Sequence, residues 1–239
     1  MKKRADQLLV DKGLAPSRVK AKELIESGEV PGITKASQQV DIEKDIQLNN
    51  PELLKYVSRA GLKLESVLDE FNIDPKDKSC LDLGASTGGF TDCLLQKGAE
   101  KVEAVDVGSG QLHEKLRNDD RVTCIEGQDV RGFKGGPYDL IVADLSFISL
   151  TKVLEDIRGL ALPDTMLALL IKPQFEVGSD NIDKKGIVKS EEAIQDALEN
   201  IQTQMKELGF SSLKLAASGL AGRDGNQEYF IYAEVAGEK

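Results

Sequence analysis

The 239-residue chain holds 40% hydrophobic and 30% charged residues, a balance that excludes intrinsic disorder as its general state. Its longest uninterrupted apolar run, residues 166–171, is far shorter than the roughly 20 residues that a membrane-spanning helix needs, so a membrane pore is not expected. The basic N-terminus, MKKRADQLLVDKG, lacks the apolar core of a secretion signal, which predicts a cytoplasmic location.

The net charge of −10 is unevenly distributed along the chain. Residues 1–63 hold 12 Lys+Arg against 9 Asp+Glu, whereas the remainder holds 19 against 32. Phosphate groups are repelled by acidic surfaces, so the N-terminal segment should supply most of the attraction for a nucleic-acid partner. The alternative is that the acidic surface only maintains solubility.

Cysteine and histidine usage limits the chemistry further. Cys80, Cys93 and Cys124 form no C-x-x-C pair, which predicts reduced and mostly buried thiols. His113 is the only histidine, so a Ser-His-Asp triad could be built only around it, and a His-rich metal site cannot be built. No metal is expected.

The N-terminal segment has the pattern of a small α+β domain. Apolar spacing predicts helices over 4–12 and 17–27, and short apolar alternations within 30–48 predict small strands or a hairpin. Arg18 and Lys22 are four residues apart, so they project from one helix face, which could meet a phosphate backbone. On composition alone, a solvated charged helix is an equally good interpretation.

The sequence RADQLLVDKGLAPSRVKAKELIESGEV resembles the S-four type RNA-binding domain, over about residues 3–48. The shared pattern is Arg-x-Asp, then G-L-x-x-S-R, then L-I-x-x-G-x-V. The chain departs from it where Pro31-Gly32-Ile33 replaces a Val-Asn-Gly turn. The basic residues expected to contact RNA are Lys3, Arg4, Arg18, Lys20, Lys22 and Arg59.

A connecting segment over residues 49–61, opened by Asn50-Pro51 as a helix start, separates residues 1–48 from a larger domain over 62–239. Its first helix carries apolar residues at i, i+3, i+4 and i+7, beginning at Leu64. Alternating strands and helices then predict an α/β domain with a parallel sheet, which ends in an antiparallel hairpin. The strands are predicted at 79–83, 101–107, 122–125, 138–144, 165–172, 212–217 and 227–235, and the helices near 89–97, 110–117, 149–160 and 190–207.

A Gly-rich turn follows the first of these strands, over residues 80–89. It has the form D-x-G-x-x-x-G of many S-adenosylmethionine sites, and Ser86 stands where the dinucleotide motif G-x-G-x-x-G requires glycine. Asp106 ends the next strand, where its carboxylate could accept bonds from both hydroxyls of a cofactor ribose; an NAD enzyme would use such an acid too. Asp129 follows the third strand and could bind an adenine amino group or only cap a turn.

Two further charged residues follow adjacent strands of the predicted sheet. Asp144 comes after one apolar strand and Lys172 after the next. Carboxyl ends of neighbouring parallel strands border the ligand crevice of such sheets, so both side chains are expected to face the reacting group. Each could instead merely end its strand.

Residues 56–235 resemble the FtsJ-like ribose methyltransferases, and the whole chain is similar to the TlyA, or hemolysin A, family of rRNA 2′-O-methyltransferases. The matching segments are SRAGLKL from Ser58, Asp82 to Thr91, Asp106-Val107-Gly108, DLSFIS from Asp144 and IKPQFE from Ile171. The resemblance implies a Rossmann-like sheet and S-adenosylmethionine as cofactor. The residues expected to bind the cofactor are Asp82, Gly84, Ala85, Ser86, Thr87, Gly88, Phe90, Asp106, Val107, Gln128, Asp129, Val130 and Asp144.

The same resemblance implies a Lys-Asp-Lys-Glu catalytic tetrad at Lys63, Asp144, Lys172 and Glu228, with Glu176 as the alternative acid. It also implies a cytidine ribose of ribosomal RNA as the substrate, either in free RNA or in a ribosomal subunit. A ribose hydroxyl is a poor nucleophile, so catalysis should come from orientation and from help with its proton. Lys172 could accept that proton or stabilise the developing alkoxide, and both roles stay open.

The polar segment from Pro173 to Lys189 is expected to be a mobile loop that faces the substrate, with Lys184 and Lys185 either touching phosphate or only solvated. Three other functions compete with methyl transfer. They are a non-catalytic RNA-binding assembly factor, a membrane-lytic hemolysin and an NAD-dependent enzyme. The second is disfavoured by the lack of a spanning segment, and the third by Ser86 and the terminal hairpin.

Overall fold

The structure is a computed structural model that describes residues 1–222 and 225–236. The chain divides into two compact units, Met1–Ser58 and Arg59–Lys239. The expected connecting segment, 49–61, is therefore shared between them: most of it belongs to the first unit and its last three residues to the second. Asn50 caps a short 3-10 helix, Pro51–Leu54, by accepting a hydrogen bond from the backbone nitrogen of Glu52.

The first unit is a small α+β fold. Its two helices bury the apolar faces that the spacing predicted, including Leu8, Leu9, Leu24 and Ile25. The first helix begins one residue later than predicted, because the residues before it pair with a strand formed far along the chain. The elements are β1 (Lys2–Arg4), α1 (Ala5–Asp11), α2 (Arg18–Glu26) and β2 (Gln39–Asp41), with β1 antiparallel to β2.

The second unit is a seven-stranded sheet with helices between its strands. The strands are β3 (Ser79–Leu83), β4 (Lys101–Asp106), β5 (Val122–Glu126), β6 (Leu140–Ala143), β7 (Met166–Ile171), β8 (Phe210–Ala217) and β9 (Tyr229–Val235). The helices are α3 (Ala60–Phe71), α4 (Gly89–Gln96), α5 (Glu114–Arg117), α6 (Leu154–Leu160), α7 (Pro173–Glu176) and α8 (Glu191–Glu207).

The strand order is β5-β4-β3-β6-β7-β9-β8. The first five strands in that order are parallel, and β9 is antiparallel to both β7 and β8. The central strands β6 and β7 are continuous apolar runs, as expected for strands that are covered on both faces. This arrangement confirms the predicted α/β fold with a terminal antiparallel hairpin.

The carboxyl ends of the five parallel strands lie at one edge of the sheet, and β9 begins at the same edge, where Tyr229 pairs with Ile171. The main core lies between the sheet and the helices and buries side chains such as Leu83, Ile141 and Leu169. In the described part of the chain, no helix is both long and apolar enough to cross a membrane.

The segment after β7 has more regular structure than a plain loop. It contains the short helix α7, a 3-10 turn at Ser179–Asn181, and a bridge that pairs Ile182 with Val188. Its mobility in the absence of RNA stays a prediction. The predicted helix over 149–160 is split into a 3-10 turn, Leu150–Lys152, and α6.

Candidate active site

The Gly-rich turn after β3 passes very close to the end of β6. Gly84 has φ +81°, and a Cβ built on it would lie 2.6 Å from the carbonyl oxygen of Asp144. The backbone nitrogen of Asp144 in turn donates to the carbonyl oxygen of Leu83 at 2.9 Å. Only glycine fits this position, because a side chain would push the two strand ends apart. The turn and Asp144 therefore form one continuous wall.

Asp82 lies beneath the turn and is completely buried. Its Oδ2 accepts hydrogen bonds from the backbone nitrogen and the hydroxyl of Thr91, at 2.9 and 2.6 Å, and its Oδ1 has no partner. Burial, and to a lesser extent the neighbouring charge of Asp144, raises the pKa of Asp82 to about 7. An unpaired buried oxygen next to a Gly-rich turn indicates a ligand group or water that completes the site.

The carboxylate of Asp106 ends β4 beside the same turn. Its oxygens accept hydrogen bonds from the backbone nitrogens of Ser86 and Gly108, both at 2.7 Å. The next residue, Val107, has 72% of its surface exposed, which is unusual for a valine directly after a buried strand. A carboxylate beside an exposed apolar side chain can hold a ribose hydroxyl with a base lying against it.

Two residues near Asp106 were missed by sequence reasoning. Gln111 accepts a hydrogen bond from the Ser86 hydroxyl at 3.1 Å, and Glu126 accepts from the Gln111 backbone and from Arg117. Backbone hydrogen bonds and Arg117 lower the pKa of Glu126 to about 2. The position of Glu126 at the end of β5, parallel to Asp106 at the end of β4, was the signal available in the sequence.

The expected adenine contacts lie after β5. Asp129 pairs with Arg131, which lowers the pKa of Asp129 to about 2, and it also caps the Arg131 backbone nitrogen. The backbone nitrogen of Gln128 donates to the carbonyl oxygen of Asp106 at 3.1 Å, which holds this segment against β4. The two oxygens of Asp129 accept hydrogen bonds from the backbone nitrogen, Nε and Nη2 of Arg131, as in a turn-capping aspartate, and its contact with adenine stays a prediction.

Two of the expected cofactor residues, Phe90 and Val130, have buried side chains. Phe90 is buried and its ring stacks on Phe230 at 5.9 Å between centroids, and Val130 packs into the main core. Their burial argues against direct contact with a cofactor. The remaining turn residues, Ala85, Ser86, Thr87 and Gly88, lead into the start of α4, and the Thr87 carbonyl accepts from the His113 backbone.

Asp144 and Lys172, which follow the neighbouring strands β6 and β7, form an ion pair. Lys172 Nζ lies 2.5 Å from Asp144 Oδ1, and it donates a hydrogen bond to the hydroxyl of Ser146 at 2.7 Å. Both side chains are mostly shielded from solvent. The structure therefore brings the two expected residues together and adds Ser146 to them.

Lys63 and Glu228 form a second ion pair, although 165 positions separate them in the sequence. Their side chains are only 6% and 4% exposed. Glu228 directly precedes β9, and Lys172 directly follows β7. The pairing of Ile171 with Tyr229 is the last of the β7–β9 ladder, so Lys172 and Glu228 both lie at this end of it.

Glu176, the alternative acid, contacts Ser149 and Leu150 and is bonded to neither lysine of the expected catalytic set. Its carboxylate accepts hydrogen bonds from the Ser149 hydroxyl at 2.6 Å and from the Leu150 backbone nitrogen at 2.8 Å. Burial raises the pKa of Glu176. This carboxylate ties α7 to the turn after β6, which is a structural use, and Glu228 is the acid that pairs with a lysine of the expected set.

Phe147 is the most exposed large apolar side chain of the described chain, at 92%. Its backbone has φ +64°, a conformation that costs free energy for a residue with a side chain. Its ring contacts Phe175 at 5.5 Å between centroids. A flat apolar ring held out at this edge, next to Ser146, can stack on a nucleic-acid base.

Four basic residues of the first unit line a cleft of about 490 Å³. Arg4 and Arg18 line it, and both bond to the buried carboxylate of Asp6, which lowers the pKa of Asp6. Lys22 and Lys35 also line this cleft. Asp6 accepts hydrogen bonds from Nε and Nη2 of each arginine. Both guanidinium groups therefore keep N–H donors that can bind a phosphate group.

The other expected RNA contacts are placed differently. Lys20 is buried and pairs with Glu23 at 3.4 Å, which argues against direct contact with RNA. Lys3 pairs with Asp11 at 2.8 Å and is partly exposed. Arg59 belongs to the second unit, immediately before α3. Lys184 and Lys185 are exposed at the turn between Ile182 and Val188.

Comparison with known proteins gives consistent matches. A family described as FtsJ-like methyltransferase matches residues 56–235. The chain is 42% identical to the 16S/23S rRNA (cytidine-2′-O)-methyltransferase TlyA of Mycobacterium tuberculosis, over 96% of this chain and 88% of that protein. It is 39% identical to Hemolysin A of Brachyspira hyodysenteriae, over 96% and 98%. A solved structure described as a hemolysin from Streptococcus thermophilus superposes with a TM-score of 0.78 at 38% identity, over 98% and 89%.

Proposed function

The chain belongs to the TlyA, or hemolysin A, family of FtsJ-like methyltransferases, and from this we propose that it methylates the 2′-hydroxyl of a ribosomal RNA ribose with S-adenosylmethionine. The nucleotide proposed is a cytidine, as in the name of the M. tuberculosis relative. An enzyme with this substrate works in the cytoplasm. The observation that carries the proposal is the two Lys–acid pairs, Lys172 with Asp144 and Lys63 with Glu228, at the edge of the sheet where the parallel strands end.

The turn after β3 fits S-adenosylmethionine. Asp106 and Val107 would hold its ribose and adenine, with Gln128 and Asp129 at the far side of the base, and the close approach at Gly84 leaves the backbone free to border its methionine part. The unpaired Oδ1 of Asp82 is available to a water or a polar group of the cofactor. When bound, the cofactor supplies a methyl group on a positively charged sulfur.

Lys63, Asp144, Lys172 and Glu228 would orient the ribose and handle its proton. The 2′-oxygen gains the methyl group and loses its proton, so a group beside that oxygen must accept the proton or stabilise the negative charge that develops. Asp144 and Ser146 fix the Lys172 amine at the end of β7. Glu228, the residue before β9, holds Lys63 in the same way. We assign Lys172 to the proton or alkoxide and the other three to its position.

RNA binding would use both units. The first unit acts as an S-four type domain in which Arg4, Arg18 and Lys22 bind phosphate. Phe147 would stack on a base next to the modified ribose. Stacking fits a base that has been turned out of its helix, because a base within a duplex presents no free face to a side chain.

The test is transfer of labelled methyl from S-adenosylmethionine to ribosomal subunits from a strain that lacks this enzyme. Label in alkali-resistant dinucleotides is expected with the wild type and not with Lys172→Ala, while cofactor affinity stays unchanged in the variant. A Lys172→Ala enzyme with wild-type turnover would contradict the assigned role. No label on subunits or naked RNA, despite cofactor binding, would favour a non-catalytic RNA-binding factor.

A further inference from the structure

Asn226 lies two residues before Glu228 and is only 4% exposed. Both ends of its side-chain amide bond to one hairpin, residues 182–188. Its Oδ1 accepts a hydrogen bond from the backbone nitrogen of Val188 at 2.9 Å, and its Nδ2 donates to the carbonyl oxygen of Gly186 at 2.8 Å. A buried amide that is matched at both ends fixes one geometry between the two segments.

The 182–188 hairpin is also braced internally. The backbone nitrogen of Asp183 donates to the carbonyl oxygen of Ile187 at 3.0 Å, and the Asp183 carboxylate accepts from the backbone nitrogens of Lys185 and Ile187 at 2.8 and 2.9 Å. An antiparallel bridge pairs Ile182 with Val188 at the open end of the hairpin. The exposed side chains of Lys184 and Lys185 are therefore carried on a turn with its own hydrogen bonds, and the orientation of this turn depends on the residues that contact Gly186 and Val188.

The segment that holds the 182–188 hairpin through Asn226 also carries Glu228. The carbonyl oxygen of Asn226 accepts from the Gly222 backbone nitrogen at 2.8 Å, and a Cβ on Gly222 would lie 2.6 Å from Glu228 Oε1. The Glu228 carbonyl accepts from the Ser218 backbone nitrogen at 2.8 Å. Asn226 is thus the connection between the hairpin with its two lysines and the carboxylate that pairs with Lys63.

We propose that Asn226 is a positioning residue that couples the 182–188 hairpin to Glu228, so that Lys184 and Lys185 bind the phosphate backbone flanking the modified ribose while Glu228 keeps its place against Lys63. The inference rests on the proposed function and adds to it a second phosphate-binding element, separate from the arginines of the first unit. Two exposed lysines on a hydrogen-bonded turn suit phosphate, because lysines bind phosphate as point charges and read no base sequence.

The first experiment compares Asn226→Ala and Asn226→Asp with Asn200→Ala, an exposed control on α8. Asn226→Asp keeps the acceptor for Val188 but sets an oxygen against the Gly186 carbonyl. Both Asn226 variants are expected to lower the single-turnover rate at saturating RNA about tenfold or more, with cofactor affinity unchanged. The Val188 amide should exchange its hydrogen faster, and the Ile187 amide, which Asp183 holds, should not. A wild-type rate in Asn226→Ala would overturn the proposal.

The second experiment measures coupling through RNA affinity alone, so it stands even if no methyl is transferred. Lys184→Gln/Lys185→Gln is made in the wild type and in Asn226→Ala, and dissociation constants for a ribosomal RNA fragment are compared. The charge removal should weaken binding about tenfold in the wild type and much less in the Asn226→Ala background. Equal losses in the two backgrounds, or no loss in either, would overturn the proposal.

Discussion

The buried pair of Lys63 and Glu228 has a structural role that can be separated from its proposed catalytic role. Removing one partner leaves an uncompensated buried charge, which typically costs about 3–5 kcal/mol. Lys63→Met and Glu228→Leu should each lower the free energy of unfolding by such an amount, measured by urea denaturation. The double variant Lys63→Met/Glu228→Leu should recover most of it, because no charge is left unpaired, and should still be inactive.

A matched control is the partly exposed pair of Arg121 and Asp119 on the same unit, with an N–O distance of 2.8 Å. Asp119→Asn should change the free energy of unfolding by about 1 kcal/mol or less, because solvent screens that pair. If the double variant at Lys63 and Glu228 were no more stable than either single variant, the packing of these side chains and not their charge would be what the fold requires.

The pKa of Asp82 makes a second prediction at the residue scale. The folded protein holds the Asp82 proton more tightly than the unfolded chain does, because the pKa is about 7 instead of 3.8. The contribution of this group to stability is therefore complete at pH below about 4 and is lost as pH rises through about 7. Between about pH 5 and 8 the free energy of unfolding of the wild type should fall relative to Asp82→Asn by a few kcal/mol.

This difference should be measured by urea unfolding of both proteins at each pH. Other groups with a raised pKa, such as Glu176, are present in both proteins and cancel from the difference. A difference that does not change with pH would mean that Asp82 is ionised throughout, with its partnerless oxygen satisfied by water.

Some residue roles could be predicted from the sequence, and the failures have local physical reasons. Arg18 and Lys22 were placed on an exposed face correctly. Lys20 was not, although it precedes Leu24 by four residues and so belongs to the buried face of the same helix. Phe90, expected to bind the cofactor, has a buried side chain, and its spacing to Leu94 is that of a core-facing pair on α4; its contact with the cofactor stays a prediction.

At the scale of elements, the turn between β3 and α4 depends on one close approach. Gly84→Ala should lower affinity for S-adenosylmethionine at least about tenfold, because the added carbon would displace the Asp144 backbone in addition to the strain of a positive φ. Gly209→Ala, at φ +85° with open space around it, should show the strain alone and bind the cofactor normally. Calorimetric titration of both variants with cofactor measures the difference.

Equal cofactor affinity in Gly84→Ala and the wild type would show that the two strand ends can separate without affecting the cofactor site. Equal loss in both variants would instead point to a general effect of alanine at positive φ on the fold. The free energies of unfolding, measured alongside, distinguish these cases, because strain alone costs about 1–3 kcal/mol in either variant.

The strands of the large unit could be predicted to within a few residues because each is a short apolar run bounded by turn residues. The strand β1 was missed, since Lys2–Arg4 contains no apolar residue and becomes a strand only by pairing with residues 39–41. The same limit applies to the site. Sequence adjacency identified Asp144 and Lys172 at strand ends, but nothing local could reveal Ser146 as a partner of Lys172 or Asn226 as the anchor of a distant hairpin.

At the scale of the whole molecule, charge is the main problem that RNA binding must overcome. Divided at the structural boundary, residues 1–58 hold 10 Lys+Arg against 9 Asp+Glu, and residues 59–239 hold 21 against 32. The excess of positive charge in the first unit is therefore only +1. Net charge cannot account for capture of a polyanion, and the attraction must come from the local arrangement of Arg4, Arg18 and Lys22 around their cleft.

This arrangement predicts which charges carry the salt dependence of binding. In the full-length protein, Arg18→Gln should weaken binding to ribosomal RNA and reduce the slope of log affinity against log salt by about 0.7–0.9, the share of one phosphate contact. Lys12→Gln removes the same charge from the same unit but from an exposed residue outside the cleft, so its slope should match the wild type. Titrations at several salt concentrations measure both slopes. Equal slopes for the two variants would mean that the first unit attracts RNA through its overall charge and that the cleft has no special part in binding.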